Sequence, residues 1–357
     1  MKKAKIAGVG FHVPENVITN DDLAKYMDTN DQWIQERTGI KERRWVTRGE
    51  DTTATLGAKA SRIAIERAGI EPKDIDFIVF ATLSADYYFP GAGVILQREL
   101  GIADTEIGAV DVKTQCTGFV YALSMASQYI ETGMYKNILV VGAEVQSMAL
   151  DLTTRGRGIA VIFGDGAGAV VLQPTEKEGK GILTSKLHAD GRYAEKLIMP
   201  MPGSHGGYHN EALETPTDWG FTDTDKKYGN FFINEHMLTN AMIYPYMDGQ
   251  YVFKMAVTKF PEVTKEALDA VNLEVKDIDL FIPHQANLRI SQFVGKRLGL
   301  PEEKIFNNIQ RYGNTTAASI PIALAEAWEA GKVKDGDLVC LTAFGSGFTW
   351  GTVLIRW

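Results

Sequence analysis

The sequence predicts an α/β fold built from two similar halves, and two observations carry that prediction. Short continuous apolar runs, the mark of strands buried on both faces, alternate with segments of helical apolar spacing. The chain also repeats itself at long range: Ile70-Glu71-Pro72-Lys73-Asp74-Ile75-Asp76-Phe77 returns as Leu273-Glu274-Val275-Lys276-Asp277-Ile278-Asp279-Leu280. Glu99-Leu100-Gly101-Ile102 matches Arg297-Leu298-Gly299-Leu300, and the segment from Phe163 to Gly168 matches that from Phe344 to Thr349. The matches keep their order, so the expected halves, residues 1–173 and 174–357, pack as a pseudo-dimer. A repeat of this length is far too long for a solenoid.

Taken in order, Lys5 to Val9 reads as a strand, and Asn20-Asp21-Asp22 supplies capping residues for a helix. Thr52 to Ala68 carries Leu56, Ala60, Ile63, Ala64 and Ala68 at helical spacing and stops at Gly69. Asp76 to Thr82 is a buried central strand, and Phe89-Pro90-Gly91 breaks the chain before a helix from about Ala92 to Leu100. Asn137 to Gly142 and Val170 to Leu172 are again buried-strand material. Between them lies Asp111 to Ile130, in which Cys116 precedes a helix apolar on nearly every side. Such a helix belongs in the centre of the molecule.

Composition excludes several classes. At 357 residues and 45% hydrophobic, the chain can bury a large core. A net charge of −8 argues against a general binder of nucleic acid or anionic membranes, and no apolar run is long enough to span a bilayer. The N-terminal stretch, with Lys2 and Lys3 but no sustained apolar core, reads as a first strand rather than a leader. Two cysteines, Cys116 and Cys340, make no disulfide framework, which suits a reducing cytoplasm.

Cys116 is the candidate nucleophile. A thiol at a helix N-terminus meets unpaired N–H groups and the positive end of the helix dipole, which favour the thiolate. Taken by itself it could equally be a small core hydrophobe. The duplication adds weight. Aligned through the Leu-Gly copies, Cys116 falls opposite Asn314 in a second small-residue helix start, with Gly133 and Gly331 closing both helices. Aligned through the Asp-Ile-Asp copies, His284 falls at the carboxyl end of its strand, where α/β folds bind ligands.

These motifs together resemble the initiating β-ketoacyl-[acyl-carrier-protein] synthases (3-oxoacyl-ACP synthase III) of bacterial fatty acid synthesis, in the thiolase-like superfamily. The similarity runs nearly end to end. It is carried by Thr29-Asn30-Asp31-Gln32-Trp33-Ile34, Arg37-Thr38-Gly39-Ile40, the cysteine segment, IFGDGAGAVVL from Ile162, PHQANLRI from Pro283, RYGNTTAASIP from Arg311 and FGSGFTWG from Phe344. The resemblance implies a five-layered αβαβα fold, usually a homodimer, and a Cys-His-Asn constellation of Cys116, His284 and Asn314. It implies an oxyanion hole of backbone N–H groups from Cys116 and the Gly347 region. The implied reaction transfers an acyl group from acyl-CoA, a substrate rather than a cofactor, to the cysteine. Condensation with malonyl-ACP follows, with loss of CO2.

By the same resemblance, Trp33 stacks on the adenine of coenzyme A with Arg157 on its other face and Arg37 on the phosphates. Asn287 and Gly249 line the pantetheine tunnel, and Phe89 gates the acyl pocket across the dimer interface. Arg289, Lys296 and Arg297, at spacings of seven and eight, share a helical face that Lys254 and Gln285 could join to dock the acidic acyl carrier protein. Residues 201–246 depart from the family as a Gly- and aromatic-rich insertion with Gly203, Trp219, Phe221, Tyr228, Phe231 and Phe232. Its His205 and His209, with His236, have no cysteine or clear carboxylate partner, so no metal is expected. Two other readings stay open: a synthase-III-like acyltransferase of a specialised pathway, and a non-catalytic acyl- or carrier-binding protein.

Overall fold

The structure is a computed structural model that describes residues 2–204, 223 and 233–357. His205, His209 and most of the 201–246 segment, including Trp219 to Phe232 apart from Asp223, lie outside the described residues. The first sheet is formed by β1 (Lys3–His12), β2 (Phe77–Ala81), β3 (Gly108–Val112), β4 (Ile138–Glu144) and β5 (Gly166–Thr175), in the order β1-β5-β4-β2-β3. The second is formed by β6 (Gly181–Ala189), β7 (Leu280–Pro283), β8 (Leu338–Gly345) and β9 (Thr349–Arg356), in the order β7-β8-β9-β6. Both sheets pair parallel at one end and antiparallel at the other. Ile305 bridges Phe281 of β7 where the first sheet has its edge strand β3. The two halves therefore share one topology.

The major helices are α1 (Asp31–Thr38), α2 (Thr53–Arg67), α3 (Ala92–Glu99), α4 (Gly118–Glu131), α5 (Gly249–Asp269), α6 (Leu288–Leu298) and α7 (Ser319–Glu329). The three largest groups of buried side chains define five layers. The central core joins Phe119 and Leu123 of α4 and Ile320 and Leu324 of α7 to Val140 and Val353 of the two sheets. A second packs Leu56 of α2 and Leu96 of α3 against Ile78, Phe80 and Val141. A third packs Phe260 of α5 and Val294 of α6 against Phe281, Cys340 and Leu354. Val79 and Ala81 face the central core while Ile78 and Phe80 face the outer one, so strand alternation here separates two apolar faces.

Helix α4 tolerates a central position because its polar groups are paired. Ser124 Oγ meets Ser185 Oγ at 2.7 Å, Ser127 Oγ donates to Ser124 O at 2.8 Å, and Tyr121 OH donates to His188 O at 2.8 Å. Phe119, Val120, Leu123 and Ile130 are fully buried, each contributing roughly 2 kcal/mol of transfer free energy.

The duplication holds, with corrections to its register. Each central helix is preceded by a residue of positive φ and a short 3-10 turn: Gln115 (φ 46) with Gln115–Thr117, and Thr316 (φ 50) with Thr316–Ala318. Cys116 therefore corresponds to Ala317, not to Asn314. The sequence alignment slipped because α7 has 11 residues and α4 has 14, so matching the closing glycines Gly133 and Gly331 misplaces the helix starts by one turn. Strand register likewise matches Gly166 with Thr349, so the Phe163 and Phe344 segments correspond two residues away from the sequence match.

Candidate active site

The turn bearing Cys116 crosses to the other half. A Cβ on Gly345, at the end of β8, would lie 2.6 Å from Cys116 Cβ and 3.3 Å from its Sγ, so glycine there is what lets the turn seat on the second sheet. The reciprocal turn crosses back. A Cβ on Gly142 in β4 would lie 2.4 Å from Ala317 O, and the Ala317 N–H donates to the Glu144 carboxylate.

His284 follows β7, and its N–H continues the ladder by donating to Thr342 O at 2.8 Å. Its Nδ1 lies 2.6 Å from Ser319 Oγ, whereas its Nε2 is buried with no partner among the described residues. Asn314 is held from the first half: its N–H donates to Ile162 O at 2.8 Å, and Gly164 N–H donates to its carbonyl at 3.1 Å. Its Oδ1 accepts from Thr316 N–H at 2.8 Å, which fixes the side-chain orientation and leaves the amide NH2 as the end that can donate elsewhere.

Cys116, His284 and Asn314 line one cavity of about 100 Å³, with Phe344, Gly345 and Ala286. All three are buried, Cys116 at 9% and His284 at 3% exposure. The backbone N–H groups of Cys116 and Ser346 are directed at the sulfur, so the second donor is Ser346 and not the expected Gly347. Gly347, with φ 133, makes the turn that presents it. Sequence could mark the Gly-Ser-Gly stretch but could not say which of its N–H groups turns inward.

Burial pushes the Cys116 thiol up to about 12, with the Glu144 carboxylate as a further cause, outweighing the N–H groups that favour the thiolate. The expectation of a resting thiolate is thus corrected: desolvation in the closed cavity exceeds what the turn's donors return. Burial also lowers His284, to about 3. Thiol and imidazole are both neutral at rest. Burial raises Glu144 to about 7 although Thr82, Leu83 and Ser84 donate to it.

A groove of about 1010 Å³ leads to this cavity and shares Ile162, Met247, Gly249, Phe253 and Asn287 with its wall. Trp33 and Arg37 stand in the groove, and the Arg37 and Arg157 guanidinium groups lie 4.3 and 5.3 Å from the Trp33 ring centroid. The Arg37 guanidinium lies over the Trp33 ring, and Arg157 also bonds Asp28. Asn287 caps α6 through Arg289 N–H and donates to Arg37 O at 2.8 Å, tying the groove wall together. At Gly249 a Cβ would find, among the described residues, only Met247 Cε, at 3.8 Å. Asn240, Ala241, Met242, Tyr244, Pro245 and Tyr246, from the segment expected to be an insertion, form part of the groove.

Phe89 lies outside both cavities of its own chain and is 81% exposed, beside exposed Tyr87 and Tyr88. Lys254, Arg289, Lys296 and Arg297 are exposed on α5 and α6. Gln285 is not with them. It is 3% exposed, donates to Pro283 O and Phe306 O, and accepts from the N–H groups of Asn308 and Ile309. A side chain spent on buried backbone has nothing to offer a docking partner.

A two-sheet, five-layered body with a cysteine at the head of a central helix defines a thiolase-like protein. Comparison with known proteins then fixes the family. Family models described as 3-Oxoacyl-[acyl-carrier-protein (ACP)] synthase III match residues 110–191 and, for the C-terminal part, 268–357. The chain is 43% identical over 359 residues to a β-ketoacyl-[acyl-carrier-protein] synthase III of Natranaerobius thermophilus, covering 100% of both. It is 42% identical to that of Caldanaerobacter subterraneus, covering 99% of this chain and 98% of the relative. The crystal structure of 3-oxoacyl-[acyl-carrier-protein] synthase III from Aquifex aeolicus superposes with a TM-score of 0.83 at 39% identity, covering 99% of this chain and 100% of that one. The priming β-ketosynthase of the R1128 polyketide pathway superposes with a TM-score of 0.82 at 32% identity, covering 99% and 96%. The chain belongs to the 3-oxoacyl-ACP synthase III family, and it is an acyl-transferring condensing enzyme.

Proposed function

We propose that the enzyme loads an acyl group from acyl-CoA onto Cys116 and condenses it with malonyl-ACP to give 3-oxoacyl-ACP. One observation carries the residue assignment: Cys116, His284 and Asn314 share a buried cavity at the inner end of a groove whose outer part holds Trp33 and Arg37. In loading, Cys116 Sγ attacks the thioester carbonyl, and the developing oxyanion is met by the N–H groups of Cys116 and Ser346. The thiol's proton passes to His284 Nε2 and then to the departing coenzyme A thiolate. In condensation, malonyl-ACP loses CO2, and negative charge moves to the thioester oxygen, where Nε2–H of His284 and the Asn314 amide donate. The enolate carbon forms the new bond to the acyl-cysteine carbonyl. Cys116 leaves as thiolate and takes up one proton, closing the cycle.

Trp33 and Arg157 are read as the coenzyme A end of the site, with Arg37 on phosphate and Asn287 and Gly249 along the pantetheine. The exposed face with Lys254, Arg289, Lys296 and Arg297 is read as the docking site for the acyl carrier protein. The exposure of Phe89 supports a homodimer in which it meets the partner's acyl pocket. No cofactor is required by these steps. Among the described residues, no helix is long and apolar enough to cross a membrane; a cytoplasmic location is part of this proposal.

The test is intact mass after mixing with a panel of acyl-CoAs, followed by malonyl-ACP. An adduct of one acyl group, absent in Cys116→Ala and discharged as 3-oxoacyl-ACP, is expected. An adduct that malonyl-ACP leaves in place would favour a specialised acyltransferase, and activity surviving Cys116→Ala would sink the assignment.

A further inference from the structure

An oxyanion needs its two donors aimed at one point, and here they come from different halves of the chain. The Cys116 N–H belongs to the turn before α4, and the Ser346 N–H to the hairpin between β8 and β9. Their spacing must be held closely, since a useful donor stands ~2.7–3.1 Å from the oxygen it serves. Ser346 Oγ donates to Leu197 O at 2.5 Å, which holds the hairpin to its own half. That bond does not refer the hairpin to the cysteine.

A pair of threonines does. Thr117 is fully buried, and its Oγ1 lies 2.7 Å from Thr349 Oγ1. Thr349 Oγ1 lies 3.0 Å from Ser346 O and donates to it. Thr117 Oγ1 also lies 2.7 Å from Thr114 O, but that carbonyl already accepts from Thr117 N–H at 3.1 Å, so the hydroxyl proton can go to Thr349. The bonds then run from the residue after the nucleophile to the carbonyl of the residue that supplies the second donor. Apart from the Ser346 N–H directed at the sulfur, the described residues place no other hydrogen bond between turn and hairpin. Thr349 is oriented from its other side, because a Cβ on Gly347 would lie 3.0 Å from Thr349 Cγ2. The methyl fills that space and leaves the hydroxyl to Thr117.

The duplication provides an internal comparison. With Cys116 matched to Ala317 and Thr349 to Gly166, the counterparts of Thr117 and Thr349 are Ala318 and Gly166. Where the turn carries no cysteine, neither hydroxyl is present. That reciprocal junction is held differently: the Ala317 N–H, counterpart of the Cys116 N–H, is taken up by the Glu144 carboxylate. An N–H spent on a carboxylate is lost to an oxyanion. At the cysteine the junction is held by side-chain hydroxyls instead, which leaves both N–H groups facing the reacting sulfur.

We infer that Thr117 and Thr349 form a clasp that sets the spacing of the two oxyanion donors, and that both are positioning residues for acyl transfer. Thr117 holds the turn, Thr349 holds the Ser346 carbonyl, and the bond between them fixes one N–H against the other. Neither threonine lines the cavity, so neither touches the acyl group. This inference rests on the proposed roles of Cys116 and Ser346.

The test compares two reactions of the same sulfur in the full-length enzyme. Acyl transfer from acyl-CoA to Cys116, followed by intact mass, builds an oxyanion; alkylation by iodoacetamide, a substitution at saturated carbon, builds none. If no acyl-CoA loads the unmodified enzyme, the proposed function falls, whatever the threonines do. With loading present, Thr117→Val keeps the branched shape and removes the hydroxyl. It is expected to slow acyl transfer ~10-fold, short of the ~10²–10³-fold that outright loss of an oxyanion donor costs, with KM for acyl-CoA unchanged. Alkylation is expected to slow far less, so that the ratio of the two rates falls. Release of CO2 from malonyl-ACP in a Cys116→Gln background, which uses His284 and Asn314, is expected to be unaffected. Thr117→Ser, which keeps the hydroxyl, should recover most of the loading rate. Thr349→Val should show the same signature, and the double variant should cost little more than either alone, because both remove one bond. Should Thr117→Val fold poorly, Thr349→Val carries the reading, since its site is only half-buried. Loading at the wild-type rate in the valine variants, or equal slowing of acyl transfer and alkylation, would overturn the inference.

Discussion

Replacing Gly345 by alanine tests how the two halves build the site. The added methyl would stand 2.6 Å from Cys116 Cβ and 3.3 Å from its N and Sγ. Ordinary contact begins at 3.4 Å, so the cysteine turn or the end of β8 must retreat by about 0.8 Å. Neither is free to do so alone. The turn is anchored through Thr117 Oγ1, 2.7 Å from Thr349 Oγ1, and β8 is paired on both sides. Overpacking of this kind costs ~1–3 kcal/mol of stability. A displacement approaching ~1 Å of a reacting atom costs ~10²-fold in rate. The expected result is acyl loading slowed ~10²-fold with a modest fall in melting temperature, measured by quenched-flow mass spectrometry and calorimetry. Gly191→Ala serves as control, because no atom of the described residues lies within 4 Å of the Cβ it would add. Wild-type loading by Gly345→Ala would refute the account of how Cys116 is held.

Other consequences follow from the charges and contacts at the site. Because His284 is lowered to about 3, the unfolded chain binds a proton below pH 6.5 that the native state refuses. Relative to His284→Asn, stability should therefore fall as pH drops from 6.5 towards 3, by up to about 1.4 kcal/mol per pH unit; parallel melting curves with pH would contradict this. Glu144→Gln removes a charge that raises the Cys116 thiol, so alkylation by iodoacetamide should speed up above pH 7. The difference should narrow below pH 7, where Glu144 is itself protonated, and identical pH–rate curves would count against the electrostatic link. Arg289→Glu with Lys296→Glu should raise KM for malonyl-ACP, most at low ionic strength, and leave loading from acyl-CoA unchanged; an equal loss in both would place the docking face elsewhere. Trp33→Ala should raise KM for acyl-CoA with little change in the rate of decarboxylation, and an unchanged KM would remove Trp33 from the coenzyme A site.

Local pattern determined much of this protein. Buried-strand runs such as Asp76 to Thr82, the capped helix from Thr52, and the glycines that end α2, α4 and α7 were legible because each depends on neighbours within a few residues. The duplication was legible too, since two copies of one topology keep the same strand and turn signals. Cys116, His284 and Asn314 stood out as reactive types at loop ends.

Register and inward direction were decided only by tertiary packing. A missing helical turn in α7 moved the counterpart of Cys116 from Asn314 to Ala317, because the closing glycines mark where a helix ends and not how long it is. Gln285 sits beside His284 in the chain, yet its alternating position turns it into the core, where backbone groups from distant segments claim it. Ser346 rather than Gly347 faces the sulfur because the first-half turn seats against the end of a second-half strand. The protonation states were decided the same way. A helix N-terminus favours a thiolate locally, but burial between two sheets is a property of the whole fold, and at Cys116 and His284 it is the larger effect.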